Sequence, residues 1–258
     1  MVFSTHMRFL VLSDVHANAP ALEAVLRHAD HRGYDEVLFL GDAVGYYPDA
    51  EKVVALLRSL SPRVGILGNH DAALLAMEGG QNGGHREEGI VTDVLARQLS
   101  ELSDESLQFL RDLQDHVVED GWEAAHGALR NPWEYLATVQ SAQANFPLLE
   151  RQVCLVGHTH VPKIFAAVEA DGGPMWRTVQ FRRERTLYRI PPHARLFVNP
   201  GSVGQPRDGI PLAAYALFDD AARTLELFRV EFDVLTVQQS VRSAGYPEVL
   251  AARLAVGR

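Results

Sequence analysis

Five short apolar runs in this chain each end in side chains able to hold a cation, and no other feature restricts the fold as strongly. Arg8-Phe9-Leu10-Val11-Leu12 runs into Ser13-Asp14-Val15-His16, Val37-Leu38-Phe39-Leu40 into Gly41-Asp42, and Val64-Gly65-Ile66-Leu67 into Gly68-Asn69-His70-Asp71. Trp122 to Ala125 then runs into His126-Gly127, and Val153 to Val156 into Gly157-His158-Thr159-His160. Runs this short and this apolar read as buried strands. Between the first three lie amphipathic stretches, Ala21 to Ala29 with Pro20 in its first turn and Asp49 to Leu60, which predict helices. Strand and helix in alternation indicate βαβ crossovers and a parallel sheet. In such sheets ligands bind beyond the carboxyl ends of the strands, where the loops converge, so the terminal Asp, Asn and His residues are expected on one rim.

Further along the chain the pattern changes. Residues 79–89, rich in glycine, read as a surface loop inserted within the first half. Helices are predicted over Ile90 to Leu99 and, after the capping pattern Ser103-Asp104-Glu105-Ser106, over Leu107 to Leu113. From Ile164 onward come short β-rich runs: Ile164 to Val168, Trp176 to Phe181, Thr186 to Ile190, Leu196 to Val198, Ala213 to Phe218 and Leu225 to Phe232. Turn residues such as Asp171-Gly172-Gly173-Pro174 and Asp219-Asp220 separate several of them, which predicts hairpins in a second, mostly antiparallel sheet. Residues 234–258 read as helical, with Pro247 opening the last helix. The reading is one domain over 1–258 with these helices packed on it.

Charge narrows the function classes. A net charge of -9 argues against a general nucleic-acid or membrane-surface binder. A phosphate-bearing substrate stays open if a bound cation supplies the positive charge locally. Arg182-Arg183 and Arg185 form a local basic patch. The single cysteine, Cys154, rules out an intrachain disulfide and, lying in an apolar run, is expected to be a buried hydrophobe. No 18-residue apolar stretch and no signal-peptide core occurs, so a cytoplasmic location is expected, and residues 1–7 read as an alternative start.

The donor set comprises Asp14, His16, Asp42, Asn69, His70, His126, His158 and His160. Such a mixture of carboxylate, imidazole and amide suits divalent Mn, Fe, Zn or Co, with manganese favoured, whereas a structural zinc site would favour cysteines. More ligands are present than one ion needs. Sharing Asp42 between two ions roughly 3.5–4 Å apart is the usual arrangement for metal-assisted phosphoryl hydrolysis. Two such cations, two carboxylates and a bridging hydroxide leave the centre at about plus one when the histidines are neutral. The other histidines, His6, His28, His31, His85, His116 and His193, are expected at the surface.

The blocks Asp14-x-His16, Gly41-Asp42, Gly68-Asn69-His70-Asp71, His126 and Gly157-His158-Thr159-His160 resemble the motif set of the calcineurin-like metallophosphoesterases, over at least residues 8 to 160. Asn199-Pro200-Gly201-Ser202 and Gln205-Pro206-Arg207-Asp208-Gly209 resemble its bacterial phosphodiesterase-like branch. The resemblance implies an α/β fold, a four-layer αββα sandwich of two mixed β-sheets flanked by helices. It implies that Asp14, His16 and His160 hold one metal, Asn69, His126 and His158 the other, and that Asp42 bridges. The implied reaction is hydrolysis of a small soluble phosphate ester, foremost a phosphodiester and nucleotide-derived esters among them, by attack of the bridging hydroxide.

His70 would stay off the metals, stabilising the transition state or protonating the leaving oxygen. Asp71 would either orient His70 or serve as an acid at a helix N-terminus. The phosphoprotein phosphatases and symmetrical dinucleoside-tetraphosphate hydrolases carry Asp-Arg-Gly after the bridging Asp. Here Ala43-Val44-Gly45-Tyr46-Tyr47 follows, which disfavours those subclasses. Arg207 and Arg130 are candidates for the substitute cation, against a role in surface salt bridges. Asn18 either hydrogen-bonds at the site or terminates its turn. Trp133 and Tyr135 either stack on a nucleobase or pack under a loop. The rival functions are a non-catalytic scaffold of the same fold and a nuclease, the latter disfavoured by the acidic balance. A homo-oligomer through the C-terminal helices or Tyr46-Tyr47 stays open.

Overall fold

Side chains alternate sides along a strand, and in the first strand, β1 (Arg8–Leu12), both sides are apolar. Leu10 and Leu12 enter one core while Phe9 and Val11 enter another. That single fact demands material on both faces of the sheet. In the computed structural model, which describes residues 7–80, 89–171 and 173–258, the material is helix on one side and a second sheet on the other.

In chain order, α1 (Ala19–Asp30), β2 (Glu36–Phe39), α2 (Ala50–Ser59) and β3 (Val64–Gly65) complete the opening units. Then come α3 (Asn69–Glu78), α4 (Ile90–Glu101), α5 (Asp104–Arg111), β4 (His116–Val118), β5 (Trp122–Ala125), α6 (Val139–Asn145) and β6 (Val153–Leu155). The β-rich half supplies β7 (Lys163–Val168), β8 (Met175–Gln180), β9 (Arg185–Arg189), β10 (Ala194–Asn199), β11 (Ala213–Asp219) and β12 (Thr224–Val230), before α7 (Val234–Ser243) and α8 (Glu248–Leu254). Residues 1–6, with His6, the glycine-rich 81–88, with His85, and Gly172 lie outside the described residues.

Two six-stranded sheets result, ordered β3-β2-β1-β11-β12-β9 and β4-β5-β6-β10-β7-β8. The β1–β2, β2–β3, β5–β6 and β6–β10 pairs are parallel, as the alternating pattern requires, and the rest are antiparallel. Both sheets are therefore mixed. Three cores separate four layers. Leu10, Leu12, Val37, Phe39 and Tyr215 pack under α1, α2, α7 and α8; Phe9, Val11, Leu38, Val153, Leu155 and Leu196 fill the space between sheets; Cys154, Phe165 and Phe197 face Ala142 of α6. Cys154 is buried, as its apolar run predicts.

The β-rich half does not make a sheet of its own. β11, β12 and β9 widen the first sheet while β7, β8 and β10 widen the second, because each parallel core leaves an open edge that a late hairpin can pair. The predicted turns at 171–174 and 219–220 do join antiparallel neighbours. α5 starts at Asp104, three residues earlier than expected, since Ser103 is itself the N-cap and accepts the Ser106 N–H. Tyr46 and Tyr47 are buried, so they offer no surface to a second copy. His28 is half-buried, with Nδ1 2.9 Å from the Tyr215 hydroxyl; His31, His116 and His193 are exposed as expected, His116 meeting Glu123. Among the described residues no helix is long and apolar enough to cross a membrane.

Candidate metal centre

All the parallel strands deliver their ligand loops to one rim. After β1 the chain turns through Asp14 and His16, after β2 through Asp42, and after β6 through His158 and His160; these five residues have φ between +51° and +65°. Non-glycine residues in the left-handed region cost about 1 kcal/mol or more each. Backbone bonds between the two loops offset this: Asp14 N–H donates to Gly41 O at 2.9 Å, His16 N–H to Asp42 O at 2.9 Å and Ala17 N–H to Ala43 O at 2.7 Å. The same turns aim every side chain inward.

Asn69 and His70 arrive differently, on the first turn of α3. The helix start lies against Asp42, whose Oδ1 accepts the His70 N–H at 2.9 Å. Only glycine permits that approach at position 68, since a Cβ there would collide with the Asp42 carboxylate and backbone. Gly157 plays the same part opposite Ser13 and Asp14.

The imidazoles are fixed by bonds on the ring nitrogen away from the centre. His16 Nδ1 lies 3.0 Å from Val44 O, His126 Nδ1 2.7 Å from Leu40 O and His160 Nδ1 2.6 Å from Gln205 O. A carbonyl only accepts, so each Nδ1 carries the hydrogen and each Nε2 presents its lone pair inward. His158 is reversed: Nε2 lies 3.2 Å from Trp133 O, which leaves Nδ1 for the centre. Tyr135 stacks on the His158 ring at 4.2 Å, holding its plane.

The inward atoms nearly touch. His16 Nε2 and His160 Nε2 are 3.1 Å apart, His160 Nε2 and Asp14 Oδ1 3.3 Å, His126 Nε2 and Asn69 Oδ1 3.2 Å. Asp42 Oδ2 sits 3.5 Å from His16 Nε2 and 3.3 Å from His126 Nε2, buried and with no hydrogen bond. Metal bonds of about 2.1 Å place neighbouring donors about 3.0–3.4 Å apart, so these spacings fit cations. Asp14, His16, Asp42 and His160 form one group able to hold an ion, and Asp42, His126 and His158 another. His70 belongs to neither. Its ring stands edge-on to His16 at 4.7 Å and against Tyr46 at 4.6 Å.

Protonation follows from burial and neighbours. Burial holds His16 and His160 well below the ordinary imidazole value and pushes His158 down to about 3, so all three are neutral and ready to ligate. The His16–Asp42 contact is therefore not an ion pair. Burial would lower His126 too, but the negative charges of Asp42 and Asp14 hold it up to about 9, so until a cation takes its place a proton sits on the inward Nε2. Burial raises Asp14 to about 7 against the pull of His126.

Asp71 and Asn18, each expected in one of two roles, are placed by their hydrogen bonds. The Asp71 carboxylate, on the first turn of α3, accepts the N–H groups of Asp42 (2.8 Å), Ala43 (2.9 Å), Val44 (3.3 Å) and Gly68 (3.1 Å), tying the Asp42 loop to α3. Asn18 is the N-cap of α1, its Oδ1 accepting from Ala21 N and its Nδ2 donating to Gly204 O, which is the turn-terminating role of the two expected. Arg130 is spent on Glu134, and Trp133 and Tyr135 pack on His126 and His158. Arg207 remains: half-buried, it bonds Gln205 Oε1 and the Tyr46 hydroxyl, both neutral. Its N–H also reaches His160 O at 3.3 Å.

Residues 7–222 match the calcineurin-like phosphoesterase superfamily domain. The chain belongs to that family. Membership makes this phosphoesterase a metal-dependent phosphoric ester hydrolase. It is 31% identical over 96% of its length to an uncharacterized protein of Methanocaldococcus jannaschii, 97% of which is covered. A metallophosphoesterase from Sphaerobacter thermophilus superposes with TM-score 0.82 at 36% identity, covering 98% of this chain and 100% of that one. A hypothetical protein from Pyrococcus horikoshii shares the fold, with TM-score 0.74, 20% identity and coverage of 97% and 98%.

Sequence reasoning missed two supports of this phosphoesterase centre. Gln98 accepts the Gly45 N–H at 2.7 Å and donates to Tyr47 O at 2.6 Å, holding the loop after Asp42. Its signal was a polar residue on the buried face of α4 beside Val94 and Leu95. Ser202 donates to Asp14 O at 2.7 Å; the block Asn199-Pro200-Gly201-Ser202 marked the place, but not this bond.

Proposed function

We propose that the protein is a dinuclear phosphodiesterase acting on a small phosphate ester, with manganese as the favoured metal. The observation that carries this is Asp42 Oδ2, a buried carboxylate oxygen without a hydrogen bond, lying between two groups of inward-facing donors. Burying such an oxygen unsatisfied is costly unless a cation meets it. Asp14, His16 and His160 complete one metal set and Asn69, His126 and His158 the other. The cations, when bound, supply Lewis acidity at the phosphoryl oxygens and a water acidified enough to attack at neutral pH.

The chain's own residues do the rest. Arg207, within the field of Asp14 but in no ion pair among the described residues, fits a phosphoryl oxygen. His70, whose Nδ1 faces Gly45, offers Nε2 as the atom that hands a proton to the leaving oxygen. Its backbone bond to Asp42 keeps that ring in register with the centre. Metal-stripped protein reloaded with manganese should hydrolyse bis(p-nitrophenyl) phosphate in preference to the monoester. Asp42→Ala and His158→Ala should lose both metal and activity, and His70→Ala activity alone. Full activity in Asp42→Ala refutes the reading.

A further inference from the structure

Beside the metal centre a cationic track leaves Arg207. A depression of about 200 Å3, with Pro162, Gln180, Arg182 and Arg207 in its wall, adjoins one of about 400 Å3 lined by Gln180, Arg182, Arg183 and Arg185. The two share Gln180 and Arg182. The inner depression begins at Val161, one residue beyond His160.

Its construction leaves positive charge unpaired. The segment between β8 and β9 crosses from the second sheet to the first and carries Arg182 and Arg183, both exposed and without a carboxylate partner among the described residues. Asp208 is the one acid lining either depression, and Arg229 from β12 takes it in a buried ion pair while also donating to Phe181 O at 2.9 Å. Arg229 thus removes the neutralising charge from beside Arg207 and pins the arginine-bearing crossover. Arg185 is engaged with Glu226 at 3.1 Å. Three guanidinium groups, Arg207, Arg182 and Arg183, are left along one path on a protein whose net charge is -9.

We infer that this track receives a second, remote phosphate of the substrate, so that the preferred substrate is a small ester bearing more than one phosphate group. The inference rests on the phosphoesterase reading for its first phosphate. A long nucleic acid fits less well, because the track spans two small depressions on a protein of net charge -9.

The test is calorimetric binding at low ionic strength to manganese-loaded protein, comparing tripolyphosphate with orthophosphate, both supplied with equimolar manganese. Arg182→Ala/Arg183→Ala should weaken tripolyphosphate about tenfold and change orthophosphate, which needs only the metals and Arg207, by less than twofold. Arg182→Lys/Arg183→Lys should restore most of the loss. Equal effects on both ligands, or on neither, overturn the inference, as does a single-stranded oligonucleotide binding more than tenfold tighter than tripolyphosphate. Failure of the parent reading looks different: no hydrolysis of bis(p-nitrophenyl) phosphate, whatever the binding data.

Discussion

Asp71→Asn separates a catalytic from a positioning role for this carboxylate. The two oxygens divide four donors between them: Oδ1 takes Ala43 and Val44, and Oδ2 takes Asp42 and Gly68. An amide keeps one oxygen, so either orientation leaves two buried N–H groups facing an NH2. Each orphaned donor costs about 1–3 kcal/mol, giving about 2–6 kcal/mol for the pair, about 4 at the centre of that range. For a chain of this size that lowers the melting temperature by about 10 °C. The bridging loop should loosen with it, so metal content by elemental analysis should fall in proportion to activity. Circular dichroism melts and metal-normalised kcat provide the readings. A variant that melts like the parent, holds its full metal complement and is nonetheless inactive would show that Asp71 works on the reaction itself.

Four shorter predictions follow from the same geometry. Because His126 sits near 9 in the metal-free protein, manganese binding at pH 7.5 should displace about one proton from it, and affinity should rise with pH up to about 9; calorimetry in buffers of different ionisation enthalpy shows no proton release if this is wrong. Without metal, the stability owed to His126 is complete below about pH 6.5 and is lost as pH climbs through about 9, which urea titrations at pH 6 and 9.5 would reveal. Gly68→Ala should keep the fold and lose metal, since its Cβ displaces the Asp42 carboxylate. Cys154, buried and with its thiol pushed well up by that burial, should react with a thiol reagent only on unfolding; fast labelling of the native protein would contradict the packing.

The sequence was legible where local chemistry and strand position coincide. Asp14, His16, Asp42, Asn69, His126, His158 and His160 could be named because each follows an apolar run, and a strand's carboxyl end is a topologically fixed place. Sheet membership of the later strands was not, since a hairpin such as β11–β12 carries no local mark of which open edge it will pair. Asn18 and Asp71 kept two readings each for a related reason: a polar side chain beside a motif can serve the site or the backbone until its partners, 186 and 29 residues away, are in place. The left-handed turns at five ligand positions were equally hidden. Asp and His tolerate that conformation better than most, but only the closing loops impose it.

β1 has β2 on one side and β11 on the other, with Arg8 opposite Asp219 and Val11 opposite Ala216. The strand that carries Asp14 and His16 is thus clamped by a segment about two hundred residues downstream, beyond even His160, the last member of their donor group. Contacts so distant along the chain form late and slow folding. A ribosome-bound fragment ending before Ala213 has the ligands for a cation but an unclamped first strand on which to present them.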